Sequence, residues 1–187
     1  LFIMIAYGHM SERREGPPRQ QLPQEAEKQK LLSGAVTVFE FLDRVFELDQ
    51  STPSREQAEA NIRLLEDPAV VECVRQEPDT LDEYHNALSL AHFHVAQQRL
   101  LAHDISAVDY LERALDSSRQ IDNAEYREWM SYIEGTLAYV RKDRVTLERV
   151  LGELGDGQNQ SVVRSMLNGL SEFGDVDYRR DYRSQES

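Results

Sequence analysis

A chain of 187 residues, 40% of them hydrophobic, is long enough to bury a core and reads as one domain with tails. Its formal net charge of -13, from 34 acidic against 21 basic residues, disfavours nucleic acid and anionic membrane surfaces, both of which require a positive footprint. A basic protein or peptide is the partner this charge favours.

The chain opens on an apolar run, Leu1 to Tyr7, too short to span a bilayer and without the basic flank or small-residue cleavage site of a secretory leader. Gly8-His9-Met10 resembles the scar of a cleaved tag, so residues 1–9 are expected to be an expression-tag remnant. Residues 10–30, rich in Gln, Glu, Arg and Pro, are expected to be disordered, residues 31–174 to form a single all-α domain, and residues 175–187 a polar tail.

Helical periodicity begins at Leu31, where Val38, Leu42 and Val45, flanked by Phe39 and Phe46, make an apolar stripe. Thr52-Pro53 and Asp67-Pro68 each pair an N-cap side chain with proline at the first helical position, opening two shorter helices. Cys73, the only cysteine, lies in the apolar run of the second; with no internal disulfide available, a reducing, cytoplasmic setting is expected. Thr80-Leu81-Asp82-Glu83 matches a capping box ahead of a long helix carrying Tyr84, Ala87, Leu88, Ala91, Val95 and Leu101. After the polar break His103-Asp104 a shorter amphipathic helix runs from Ala107 to Gln120. Asn123 is placed to cap the next long helix, Glu125 to Val140. A second break, Lys142-Asp143, precedes Val145 to Leu154. Gly155-Asp156-Gly157 interrupts the chain before a helix from about Gln160 to Phe173. No segment alternates with period two, so an all-α fold of about seven helices is expected.

Tyr84 to Leu154 thus reads as two successive helical hairpins, with Ala107 and Leu147 at corresponding positions 40 residues apart. Ala107, Leu111 and Ala114 in the first hairpin, and Gly135 with Ala138-Tyr139 in the second, resemble the small and aromatic positions of tetratricopeptide-type repeats. Val95, Leu147, Leu154 and Ser131 depart from that pattern. The resemblance implies stacked antiparallel hairpins, as a right-handed superhelix; an irregular α-bundle of the same lengths is the other reading. It also implies that the first helices of the units line a concave, partner-binding face. His92 and Arg99 would come from one, Trp129, Tyr132, Thr136 and Tyr139 from the next; tyrosine, tryptophan and arginine are common interface anchors.

No nucleophile elbow, phosphate loop or Cys-x-x-Cys occurs, and the sequence names no catalytic residue and no cofactor. A helix-turn-helix reading of Asp104 to Tyr126 conflicts with the excess of acid over base from Asp104 to Glu128. The chain is therefore expected to be a non-enzymatic protein–protein interaction module or adaptor. The alternative is a metal-binding or small-molecule α-bundle enzyme using His85 and His92, seven residues apart on one helix face. Tyr178 to Arg183 interleaves arginine with tyrosine, as a flexible tail or as a strap on the body, with Tyr178 and Tyr182 spaced to dock as one helical turn. A homodimer through the helix bearing Val38, Phe39, Leu42 and Phe46 is expected if the helices opened at Pro53 and Pro68 do not cover that stripe.

Overall fold

The long helix Leu81–Leu101 is buried nearly all round from Asn86 to Gln97, and this makes it the spine of the molecule. A helix with one apolar stripe lies on a core; one buried on every side has elements packed around it. The computed structural model describes residues 23–51 and 54–183, so the expected tag remnant, most of the expected disordered segment and the Thr52-Pro53 start signal fall outside the described residues. Among the described residues ten α-helices and no strand occur: α1 Pro23–Leu32, α2 Val38–Ser51, α3 Arg55–Leu65, α4 Pro68–Gln76, α5 Leu81–Leu101, α6 Ala107–Ser118, α7 Arg127–Val140, α8 Arg144–Glu153, α9 Gln158–Phe173 and α10 Tyr178–Arg183.

Two apolar cores flank α5. One joins α1 to α4 to Tyr84, Ala87, Ala91 and Val95; the other joins α6 to α10 to Leu90, Phe93, Ala96 and Leu100, and Tyr110 packs against both. The sequence stripe on α5 is the first of these faces, and the second is the reason a single stripe describes α5 poorly. The α2 stripe is covered within the chain: Val38, Leu42 and Val45 are buried, with Phe41 beside them, while Phe39 stays more than half exposed. Within the chain α1, α3 and α5 pack against α2.

The helix starts follow local chemistry, though not always where the sequence points. Asp67 caps α4 through its side chain on the Ala69 N–H. The expected capping box at Thr80 does not form: its hydroxyl donates back to the Glu77 carbonyl at 2.8 Å and α5 starts without a side-chain cap. The reciprocal pair stands instead at α2, where the Thr37 N–H donates to Glu40 and the Glu40 N–H to the Thr37 hydroxyl. Asn123 precedes a 3-10 turn, Ala124–Tyr126, so α7 starts only at Arg127.

The turns after α5 and α7 are built alike. His103 and Lys142 take left-handed φ values of 55° and 58°, and the N–H groups of Asp104 and Asp143 reach back to the Arg99 and Ala138 carbonyls. Aligned on these turns, the hairpins repeat every 39 residues rather than 40. Gly135 then corresponds to Ala96, not to Val95, and both are small, buried residues. A β-carbon on Gly135 would stand 3.0 Å from Val150 and 3.1 Å from Val163, so this glycine sets how closely α8 and α9 approach α7.

The first and last described segments hold more structure than their composition suggests. The segment expected to be loose as far as Lys30 is helical from Pro23, anchored by polar contacts: Gln24 to Asn61 at 2.7 Å, Lys28 to Asp67 at 2.5 Å and Glu27 to Arg44 at 3.1 Å. The expected polar tail likewise contains α10, whose Tyr178 and Asp181 are buried.

Candidate functional site

Trp129, Tyr132 and Thr136 face inward. The Trp129 ring meets Phe93 edge-on at 4.9 Å and Tyr132 lies 5.3 Å from the same ring, so the three aromatics weld α7 to α5. The indole N–H donates to the Ser89 hydroxyl at 3.1 Å, and that hydroxyl donates to the Ala114 carbonyl at 2.9 Å, a relay joining α7, α5 and α6. Thr136 donates back to the Tyr132 carbonyl. The expectation that these residues offer a surface is corrected by their burial: the stacking of α7 on α5 uses their faces and polar tips internally.

His92 and Arg99 lie on another side of α5, between α3 and α6. The two terminal nitrogens of Arg99 are engaged: they reach Asp104 at 2.7 Å, Ser106 at 2.5 Å and Glu59 at 3.4 Å, and the guanidinium lies 4.7 Å over the Tyr110 ring. With Ser106 and Arg99 donating to it, Asp104 is held below the usual carboxylate range. Arg99 is thus a clamp for the α5–α6 turn rather than a free contact. His92 is buried with its ring 6.0 Å from Tyr110. Burial, with Arg113 adding to it, lowers its pKa to about 4. The Glu66 carboxylate 3.6 Å from Nε2 therefore faces a neutral imidazole at ordinary pH, and the contact is no ion pair.

His85, the second histidine of the metal-site alternative, packs edge-on to its neighbour Tyr84. Among the described residues no three His, Cys, Asp or Glu side chains come together as metal ligands would.

Tyr139 leads to the constellation that sequence reasoning missed. The helices α5, α7 and α9 end side by side: Lys142 donates to the Gly174 carbonyl at the end of α9, and Arg179 to the Leu101 carbonyl at the end of α5. Across these ends lies α10. Its Tyr178 hydroxyl accepts from Gln97 at 2.9 Å, and its Asp181 carboxylate accepts from the Tyr139 hydroxyl at 2.5 Å. Arg180 donates to both Asp181 oxygens, at 2.6 and 2.8 Å, reaches Asp175 at 3.1 Å and stacks 4.1 Å over Phe173. A β-carbon at Gly169 would overlap the Asp181 carboxylate, so the glycine is what admits it. Burial, and then the bond to Asp181, push the Tyr139 hydroxyl well above the usual tyrosine range, which keeps it a donor. The i, i+4 spacing of Tyr178 and Tyr182, whose rings stack at 5.1 Å, was the one visible signal of this docked turn; Gly169 and Asp181 carried none.

At the same end of the stack Ile105, in the turn that follows α5, and Val145, in the first turn of α8, are 87% and 78% exposed. No helix among the described residues is long and apolar enough to cross a membrane. Comparison of the chain with protein-family models, curated proteins and solved structures finds no match.

Proposed function

We propose that the protein is a non-enzymatic interaction module: a stack of helical hairpins that holds short helical segments of a partner protein across the ends of α5, α7 and α9. The observation that carries this reading is α10, seated there through a buried carboxylate, a tyrosine hydroxyl and a side-chain amide, with the Tyr178 ring set in the apolar core. Such contacts, few, directional and centred on Tyr and Arg, are those by which proteins recognise peptides. The exposed Ile105 and Val145 beside the seat give a partner additional apolar area. The acidic balance of the chain favours a partner that is basic outside its anchoring residues.

The test is to cross-link the protein in extracts of the cells that make it and to measure its native size. A complex larger than the single chain, with cross-links on α5, α7 and α9, is expected. A native protein that travels alone, without cross-links, sinks the reading.

A further inference from the structure

The seat under α10 has a chemical specificity of its own. We propose that the face formed by Gln97, Tyr139 and Gly169 is a recognition site for one helical turn of the pattern Tyr-x-x-Asp, and that α10 fills it in cis as a replaceable occupant. This rests on the interaction-module reading and names the ligand chemistry of its seat.

Each element of the pattern has a counterpart in the body of the protein. Gln97, itself buried, presents its amide to a tyrosine hydroxyl, as it does to Tyr178. Tyr139, buried and held as a donor, presents its hydroxyl to a carboxylate. Gly169 leaves a gap in the surface of α9 that a carboxylate fills and a β-carbon would close. A glutamate is one methylene too long for that gap when its backbone lies where Asp181 has it, so aspartate is selected by reach as well as by charge. The arginine beside the aspartate travels with the ligand: Arg180 neutralises Asp181 from within the same turn, so a carboxylate enters the seat already paired.

The same geometry makes α10 a detachable occupant. It has six residues, too few to be a stable helix unaided. Among its described side chains Tyr178 and Asp181 are the buried ones. It is joined to α9 through Gly174 in the left-handed conformation, a hinge that can swing without strain at that residue. A segment tethered this close competes at high effective concentration, so an incoming turn sees only the fraction of seats α10 leaves open.

The experiment uses the full chain and a fluorescently labelled peptide of residues 175–183. In Asp181→Lys a cation and a longer side chain replace the carboxylate over Gly169, so α10 cannot reseat. Fluorescence anisotropy is expected to show the peptide binding this variant at least about ten-fold tighter than the wild type. Adding Gly169→Ala to Asp181→Lys is expected to abolish that binding. If Asp181→Lys does not fold, Tyr178→Ala with Asp181→Ala releases α10 by stripping both buried side chains, and the same ratio is read. Equal affinity for wild type and variant, or no binding to a folded variant, overturns the proposal. So does a wild-type dimer in light scattering that the variant dissolves, since the occupant would then be the α10 of a second copy. The interaction-module reading fails separately, on a native protein that travels alone without cross-links; a native complex cross-linked at these helix ends, with no peptide binding to the folded variant, keeps that reading and removes this one.

Discussion

The Tyr139 hydroxyl donates to the Asp181 carboxylate at 2.5 Å across 42 residues of chain, and it is a contact by which α7 holds the C-terminal helix. Tyr139→Phe removes the donor and leaves the carboxylate buried with Arg180. A buried acceptor deprived of a partner costs about 1–3 kcal/mol. Urea unfolding of the variant should show a loss in that range with an unchanged slope; a loss near zero would mean that Asp181 finds water as good a partner.

Gly169 and Asp181 are coupled, and the coupling has a sign. Gly169→Ala places a methyl into the carboxylate, so in the wild type it should destabilise and raise hydrogen exchange in α10. In an Asp181→Ala background the methyl meets open space, and the better helix propensity of alanine should make the same change neutral or stabilising by up to about 1 kcal/mol. A double-mutant cycle measures this. Additive effects would show that α9 and α10 do not share that space.

Gly135 is a parallel case whose neighbours are apolar core side chains. Gly135→Ala gains helix propensity of about 1 kcal/mol but drives a methyl against Val150 and Val163 in a packed core, where overpacking costs about 1–3 kcal/mol. A net loss of stability is expected on thermal unfolding. Val150→Ala should cost less in the Gly135→Ala background than in the wild type, because the new methyl occupies part of the cavity.

The order of the helices from α2 to α9 was legible because their cores repeat at helical spacing and their breaks carry Gly, Pro, Asp and His. The two ends were not, and for one reason: composition registers apolar surface, whereas α1 is tied down by Gln24, Glu27 and Lys28 and α10 by Tyr178 and Asp181. The site residues divide the same way. Tyr139 was picked for its aromatic ring, yet its hydroxyl matters, and its partner lies in what reads as tail. Trp129 and Tyr132 have the composition of an interface but fill the α5–α7 core, since helical period alone does not say which neighbour an aromatic face meets. Ser89 shows no pattern at all; only the three-helix junction gives it a role.

Ser89→Ala tests that role. The change is small in volume but leaves the Trp129 indole N–H and one bond of the Ala114 carbonyl unmatched in a buried site. A loss of about 1–3 kcal/mol is expected. Trp129 is the only tryptophan of the chain, so its fluorescence reports on this junction directly. Ser89→Cys would confound hydroxyl loss with crowding, and Ser89→Thr would add a methyl while keeping the hydroxyl; alanine isolates the loss of the hydroxyl.

His92 makes stability depend on pH in a predictable direction. Glu66 faces the ring from α3 and Tyr110 and Arg113 from α6, while burial dominates and lowers its pKa from 6.5 to about 4 in the fold. The unfolded chain takes up this proton below pH about 6.5, whereas the folded chain does so only near 4, so the unfolded state binds more protons between those values. Stability contributed by the neutral ring is therefore complete above pH about 6.5 and is lost as the pH falls through that window, by roughly 3 kcal/mol at most. Other carboxylates titrate in the same range, so the measurement is the difference between wild type and His92→Gln. The variant should show the shallower fall in unfolding free energy between pH 7 and pH 4, because glutamine takes up no proton in either state. Parallel curves would show that His92 gains its proton in the folded protein as readily as in the unfolded one, with Glu66 overriding burial.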